Sequence, residues 1–171
     1  MTGFGDPARV TLLGPSGYPA VPNGLTAINN TFGTRCTSNS NFNKFTWLAE
    51  GASWNVNFHK KLGGAPVPGW YAGNGGGSTN LFYDVRGHIA NGHMTVLGGI
   101  GAYNCRLVSG TNVWSTHAWG IAIDINWNHE TPGDCTPNTI PTNVSGTFQN
   151  HGWEWGIKFC DAMHFQYATG Y

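Results

Sequence analysis

Residues 120–126 alternate between large apolar side chains and small or polar ones. Three isoleucines fall on one face of this stretch, at Ile121, Ile123 and Ile125. Asp124 falls on the opposite face, between Ala122 and Asn126. Because successive side chains of a strand point to opposite sides of a sheet, the pattern predicts a β-strand with one core face and one polar face. A fold that places a carboxylate on such a face must either pair it with another group or give it a functional role.

The remaining elements are predicted from periodicity and from glycine and proline breaks. Loose 3.6-residue patterns predict helices at residues 44–61, 79–91 and 141–150. Apolar runs bounded by turn residues predict further strands at residues 94–97, 100–108, 153–156 and 164–167. Short helices followed by antiparallel strands predict an α+β fold. We therefore expect a single domain in which a small antiparallel sheet carries the functional site and is flanked by helices.

The first 43 residues differ in composition from the rest of the chain. Gly, Pro, Asn, Ser and Thr dominate residues 1–43, and apolar residues recur there without a regular period. Phe4, Tyr18 and Phe32 favour a packed segment over a disordered tail, since a tail would leave them in water. The predicted organisation is an irregular N-terminal arm over residues 1–43, packed on a domain that spans residues 44–171.

Length and composition exclude several classes of partner. A chain of 171 residues is long enough for one domain with a real core. Only 9% of its residues are charged and its formal net charge is zero, so we expect no nucleic-acid partner. No run of 18 apolar residues predicts a membrane span, and no basic region followed by an apolar one predicts a signal peptide. We expect a monomer.

The chain contains four cysteines, at Cys36, Cys105, Cys135 and Cys160. No pair has the C-x-x-C spacing of a structural zinc site made of thiolates. An even number without such spacing allows two disulfides in three possible connectivities, or four buried thiols. The sequence leaves the pairing open.

Two short segments, about 40 residues apart, concentrate the groups that bind metals and move protons. His117 precedes the predicted strand that carries Asp124, and the second segment contains Asp161 and His164. Two imidazoles and one carboxylate form a familiar catalytic zinc set, which leaves a fourth position for water. If residues 164–167 pair with the strand, His164 comes to lie beside Asp124. Asp161 is then available as a general base.

For three other polar residues, both a structural role and a functional role have to be considered. Arg106 could stabilise a developing oxyanion or bind a substrate carboxylate, or it could form a structural ion pair. Glu154 is an alternative base, but alternation places it opposite the flanking tryptophans, which favours a surface carboxylate. Ser115 lacks the G-x-S-x-G context of a nucleophilic serine, so we reject a serine triad.

The pattern of these residues resembles a family of zinc peptidases that act on peptidoglycan. Residues 115–124 contain all positions of S-x-H-x-x-G-x-A-x-D, the signature of the zinc D-alanyl-D-alanine carboxypeptidase and L-alanyl-D-glutamate endopeptidase family. Residues 152–156 resemble its G-W-x-W-G segment, residues 161–165 its D/E-x-x-H-F ending, and residues 103–106 its Y-N-x-R element. The resemblance covers residues 81–167 in the family's order, and the combination of motifs makes it specific.

The resemblance implies a role for each matching residue. His117, Asp124 and His164 take the positions of the Zn²⁺ ligands, and Asp161 takes that of the catalytic base. Arg106 takes the position of an arginine that stabilises the transition state, and it also serves substrate binding. The further residues that match substrate-contacting segments are Ser115, Trp153 and Trp155.

The chain departs from the family pattern at two places. Gln166 stands where the family usually has Glu after His-Phe. This position lies outside the ligand set, so zinc binding should survive the change. Residues 156–159 stand where the family usually has Gly-Gly-x-Trp, which bears on substrate contacts and not on the metal.

The leading hypothesis is a zinc metallopeptidase that hydrolyses peptide bonds of peptidoglycan stem peptides. Glu at the base position is typical of the family's D,D-peptidases, while members with Asp include L-alanyl-D-glutamate endopeptidases, so Asp161 favours the endopeptidase. Such an enzyme acts on the bacterial cell wall, in the extracellular space or the periplasm. The lack of a recognisable signal peptide fits an endolysin that a phage releases from the host cytoplasm.

Two alternatives use the same residues. The first is a D-alanyl-D-alanine carboxypeptidase on the same site. The second is a zinc-containing module that binds the cell wall or another ligand without catalysis. The intact acid at Asp161 argues against the second alternative.

Overall fold

The computed structural model describes residues 19–37, 42–49, 52–63, 81, 85, 88–89 and 91–171. These residues form an α+β domain with a small antiparallel sheet, which confirms the predicted fold class. Within the described part of the chain, no helix combines the length and the apolar character needed to cross a membrane.

The described part of the predicted irregular arm contains a helix. Helix α1 (Gly24–Phe32) buries Ile28 and Phe32 in the core. The indole N–H of Trp119 donates to Asn29 Oδ1 on the same helix, which ties the segment to the rest of the domain. An irregular conformation was therefore the wrong prediction for these nine residues. Burial of two apolar side chains four residues apart stabilises the helix more than its Asn- and Thr-rich composition disfavours it.

An antiparallel hairpin stands where the sequence predicted a helix over residues 44–61. Its two strands pair along their whole length: β1 (Phe42–Ala49) and β2 (Ala52–His59). Val56 and Phe58 are buried, whereas Asn57 between them is exposed, which is the two-residue period of a strand. The helix prediction was wrong because short apolar stretches fit both periods, and pairing with a second strand decides between them. A single helical turn, α2 (Lys60–Gly63), follows the hairpin.

A second sheet contains four short antiparallel strands: β3 (Ile100–Gly101), β4 (Ala122–Ile125), β5 (Glu154–Trp155) and β6 (His164–Gln166). Their order in the sheet is β3-β4-β6-β5, so β4 and β6 are the central pair. Their register places Asp124 directly opposite His164, as the sequence predicted. The predicted core face of β4 is confirmed, because its isoleucines are fully buried.

The chain that precedes β4 is less regular than predicted. Only Ile100–Gly101 form a strand within residues 100–108, and residues 94–97 form none. The side chain of Asn126 replaces a strand partner there. Its amide nitrogen donates to the carbonyl oxygen of Thr95, and its Oδ1 accepts from the N–H of Leu97. Because a side chain satisfies these backbone groups, no ladder is needed.

The helix predicted at residues 141–150 is present as α3 (Thr142–Asn150). Its Phe148 stacks on Phe165 of β6, with ring centroids 4.0 Å apart. This contact packs the helix on the strand that carries His164. Helical residues also occur in the helix predicted over residues 79–91, and all of those described are buried: Leu81, Val85, His88 and Ile89.

The four cysteines form two disulfides, which pair Cys36 with Cys105 and Cys135 with Cys160. The first joins the segment after α1 to the residue that precedes Arg106. The second joins the loop after β4 to the residue that precedes Asp161. Both crosslinks therefore end next to a residue of the predicted site.

Candidate metal centre

A short 3-10 helix holds the first imidazole. It spans Thr116–Trp119, and the Ser115 hydroxyl oxygen caps it by accepting from the His117 N–H at 3.3 Å. Gly120 ends the helix in the left-handed region, at φ 69°, where a side chain would be strained. The His117 Nδ1–H donates to the carbonyl oxygen of Ala102 at 2.5 Å. The proton is therefore on Nδ1, and Nε2 is left with a lone pair.

The β4–β6 register brings the other two predicted ligands to that lone pair. Asp124 Oδ1 lies 3.0 Å from His117 Nε2 and 3.0 Å from His164 Nδ1. The two imidazole nitrogens are themselves 3.2 Å apart. Both imidazoles are buried, and the carboxylate is largely so. Residues 40 apart in sequence therefore converge because two antiparallel strands place them side by side.

The second imidazole is also fixed through its far nitrogen. Gln166 lies two residues further along β6, on the same face as His164, and its Oε1 accepts from His164 Nε2 at 3.0 Å. The Gln166 amide nitrogen donates to Glu154 Oε2 at 3.2 Å, which orients the amide. Thr116 adds a hydroxyl 3.2 Å from the same imidazole nitrogen. His164 Nδ1 consequently faces the site with a lone pair.

Glu154 is not the surface carboxylate that its sequence context favoured. Its side chain is only 12% exposed. One oxygen accepts from Gln166, and the other accepts from Lys158 Nζ at 3.0 Å. Glu154 thus orients the glutamine that holds His164. Gln166 could have been found from the sequence, because it lies two residues along the strand from the predicted ligand His164. The sequence contains no comparable signal for the Ala102 carbonyl oxygen.

Electrostatics favour an ionised carboxylate at the centre. Burial alone would raise the pKa of Asp124, but the adjacent His117 and His164 imidazoles outweigh it and hold the pKa well below its usual range. Burial likewise disfavours the charged form of His164, yet the Asp124 carboxylate, which would accept from and attract the protonated ring, raises the pKa of His164. The cluster is therefore built around one permanent negative charge that attracts a cation.

The donor set fits a zinc ion. The three ligand atoms lie within 4.8 Å of one another, and they are two imidazole nitrogens and one carboxylate oxygen. Zinc accepts this mixture, and three protein ligands are usual in its catalytic sites. Each imidazole has its other nitrogen engaged by an oxygen of the protein, as metal-binding histidines normally do. His117, Asp124 and His164 could therefore hold the metal.

Asp161 lies beside this group on the segment that leads into β6. Its Oδ1 is buried and has no hydrogen-bond partner among the described residues. Burial raises the pKa of Asp161, and the neighbouring Asp124 raises it further, while His164 opposes the change. A carboxyl group with a free buried oxygen and a raised pKa is suited to accept and release a proton.

Gly156 permits the approach of this acid to the centre. A Cβ on Gly156 would lie 2.4 Å from the Asp161 carbonyl oxygen and 2.9 Å from His164 Cβ. Neither distance is possible for a real side chain. The glycine of the G-W-x-W-G segment is therefore required where the 3-10 helix Gly156–Phe159 leaves β5.

Arg106 lies next to the second oxygen of the central carboxylate. Its Nη2 is 3.5 Å from Asp124 Oδ2, and its side chain is 41% exposed. Its Nη1 donates to the Leu107 carbonyl oxygen, at 3.4 Å. The guanidinium is thus close to the centre and still accessible to a bound molecule.

The other predicted substrate-binding residues are distributed differently. Ser115 is buried and lines the cleft beside Asp161, although its hydroxyl also caps the 3-10 helix. Trp153 and Trp155 are buried in the core, and neither is among the described residues that line the two clefts at the centre. Trp155 donates its indole N–H to the Ala162 carbonyl oxygen at 2.7 Å. The structure therefore places both tryptophans in the hydrophobic core and not among the residues that line these two clefts.

Two clefts meet at the metal-binding group. The first, of about 540 Å³, is lined by His164, Asp161 and Ser115, and by apolar residues that include Phe159 and Val113. The second, of about 440 Å³, is lined by His117 and by residues from two loops: Tyr103 and Asn104 from one, and Trp127 from the other. Both clefts share the same four residues at their junction, which are Arg106, Asp124, Pro132 and Met163.

Residues 109–167 match the sequence model of a family described as D-alanyl-D-alanine carboxypeptidase. The matched region contains the three converging residues and Asp161. It supports the broad family that the motifs resemble and, together with the His–Asp–His group, indicates a peptidoglycan-acting metallopeptidase. No curated protein and no solved structure matches the chain.

Proposed function

We propose that the chain is a zinc-dependent endopeptidase that hydrolyses the bond between L-alanine and D-glutamate in peptidoglycan stem peptides. The observation that carries the proposal is the convergence of His117, Asp124 and His164 beside Asp161, whose buried Oδ1 has no hydrogen-bond partner among the described residues. Such a group serves hydrolysis of an amide bond, because it combines a metal site with a proton acceptor in one cleft. The enzyme would act as a monomer and would lyse the bacterial cell wall.

The chemistry follows from the position of each side chain. Zinc, when bound by the three residues, polarises the scissile carbonyl and makes water more acidic. Asp161 takes a proton from the attacking water and returns it to the leaving nitrogen. The water oxygen first bonds to the carbonyl carbon, and the carbon–nitrogen bond breaks when the nitrogen receives the proton. Arg106, which reaches the centre but stays accessible, stabilises the negative charge on the carbonyl oxygen or binds a substrate carboxylate.

The arrangement of the clefts favours an endopeptidase. An endopeptidase needs room for substrate on both sides of the scissile bond, whereas a carboxypeptidase needs a closed end that binds a terminal carboxylate. Here a cleft leaves the metal-binding group on the His164 side and another on the His117 side. Among the described residues that line the two clefts, Arg106 is the one permanent cation, and it lies at their junction. Beyond that junction, the described lining of neither cleft adds a second permanent cation to bind a terminal carboxylate.

The description of the matching family favours a second candidate, a D-alanyl-D-alanine carboxypeptidase on the same residues. Digestion of purified peptidoglycan separates the two candidates. The endopeptidase exposes new D-glutamate amino termini and lowers the turbidity of the suspension, and both effects should disappear when a chelator removes the zinc. Release of free D-alanine without new D-glutamate termini would support the carboxypeptidase. Zinc-dependent binding to the wall without any cleavage would show a binding module.

A further inference from the structure

The second cleft ends at an aromatic platform. Trp127 is 53% exposed and lines the cleft with Tyr103 and Asn104, on the side of the centre that carries His117. An indole that remains half exposed at the mouth of a cleft offers a flat apolar surface together with one N–H donor. A bound molecule that has one apolar face and polar edges would match it.

The indole is held in place by a glycine. A Cβ on Gly99 would lie 2.6 Å from Trp127 Nε1 and 2.8 Å from two further atoms of the ring. The Trp127 backbone N–H also donates to the Gly99 carbonyl oxygen at 3.3 Å. Only a residue without a side chain leaves room for the ring at this position, so one face of the indole rests on the backbone. The platform is therefore built into the fold before any ligand arrives.

The mechanism fixes which half of the substrate lies in each cleft. Asp161 must return its proton to the leaving nitrogen, so that nitrogen lies on the Asp161 side, which is the first cleft. The part of the substrate on the carbonyl side of the scissile bond then extends into the second cleft, past His117 and towards Trp127. In a stem peptide cut after its first residue, that part consists of L-alanine and the sugar to which its nitrogen is linked.

The lining of the second cleft suits a neutral polar group. Of its described side chains, the charged or metal-binding ones are confined to the centre, namely Arg106, His117 and Asp124. Those further out are aromatic, amide or apolar. We propose that this cleft is a subsite for the N-acetylated amino sugar that carries the stem, with the sugar ring stacked on Trp127 and its amide or hydroxyl groups near Asn104. The proposal rests on the proposed endopeptidase function.

Two matched substrates test the subsite. One is the stem peptide linked to N-acetylmuramic acid, and the other is the same peptide with an acetyl group in place of the sugar. We expect kcat/KM to be about tenfold higher for the sugar-linked peptide, the scale of one aromatic contact with its apolar area. Trp127→Ala should bring the ratio of the two values close to one, and Trp127→Phe should retain part of it. Leu25→Ala, an exposed apolar residue outside both clefts, should leave the ratio unchanged.

The outcomes separate the subsite from the function on which it rests. Cleavage of neither substrate would contradict the proposed function. Equal cleavage of both by the unaltered protein would overturn the subsite alone, as would a loss in Trp127→Ala that is the same for both substrates. Binding gives a readout without turnover: in Asp161→Asn, N-acetylmuramyl-L-alanine should shift the indole N–H resonance of Trp127. No shift up to millimolar ligand would also overturn the subsite.

Discussion

Replacement of Gln166 by alanine removes the hydrogen bonds that hold His164 from behind. The lost contacts are the 3.0 Å bond from His164 Nε2 to Gln166 Oε1 and the 3.2 Å bond from the Gln166 amide to Glu154. Thr116 also loses the acceptor for its hydroxyl, at 3.0 Å. A buried polar group left without its partner costs about 1–3 kcal/mol. If this free energy is lost from the conformation that binds zinc, the affinity for zinc falls by roughly 5- to 150-fold.

The prediction is therefore a rise of about 10- to 100-fold in the zinc dissociation constant of Gln166→Ala, the range for loss of a hydrogen bond behind a metal ligand. Competition with a chromophoric chelator measures it without any substrate. Gln149→Ala is the matched control, because that glutamine is exposed on α3. Thermal unfolding of the zinc-free proteins checks that Gln166→Ala still folds. A dissociation constant within twofold of the unaltered protein, in a folded variant, would refute the assignment of Gln166 as the residue that orients His164.

Three further predictions concern Asp161, Gly156 and Tyr167. Asp161→Asn should keep its zinc and lose about 10²- to 10⁴-fold in kcat on a stem peptide; near-normal turnover would reassign the base. Gly156→Ala should lower the free energy of unfolding by about 1–3 kcal/mol, because its Cβ has no room beside Asp161 and His164; unchanged urea denaturation would contradict this packing. Burial raises the pKa of Tyr167 to about 12 from 10.0, so its share of stability is complete below pH 10 and declines as pH rises through 12. Urea unfolding at about pH 9.5 and 11.5 should show a smaller decline in Tyr167→Phe; equal declines would refute the assignment.

The centre could be predicted from sequence because its parts lie on regular elements with simple periods. The alternation of residues 120–126 gave both the buried face of β4 and the position of Asp124. Pairing with residues 164–167 then placed His164 opposite it. The requirement to bury one face of a strand sets its register, because a shift by one residue would expose that face. This register can therefore be predicted without knowledge of distant parts of the chain.

What the sequence did not reveal depends on long-range contacts. The β1–β2 hairpin was interpreted as a helix because its apolar residues satisfy either period until a partner strand is known. Residues 94–97 form no strand because the side chain of Asn126 satisfies their backbone groups. The carbonyl oxygen that orients His117 belongs to Ala102, and a backbone acceptor leaves no mark in a sequence. Trp153 and Trp155 matched a family segment, but that match could not distinguish packing from substrate contact.

The central claim is that His117, Asp124 and His164 form a catalytic zinc site. Zinc K-edge X-ray absorption of the metal-loaded protein tests it most directly. We predict one zinc per chain, with two imidazoles in its coordination shell and only nitrogen or oxygen ligands at about 2.0–2.2 Å. His164→Ala should lose the metal or one imidazole from the shell. Sulfur scattering at about 2.3 Å, or stoichiometric zinc with an unchanged shell in His164→Ala, would contradict the account.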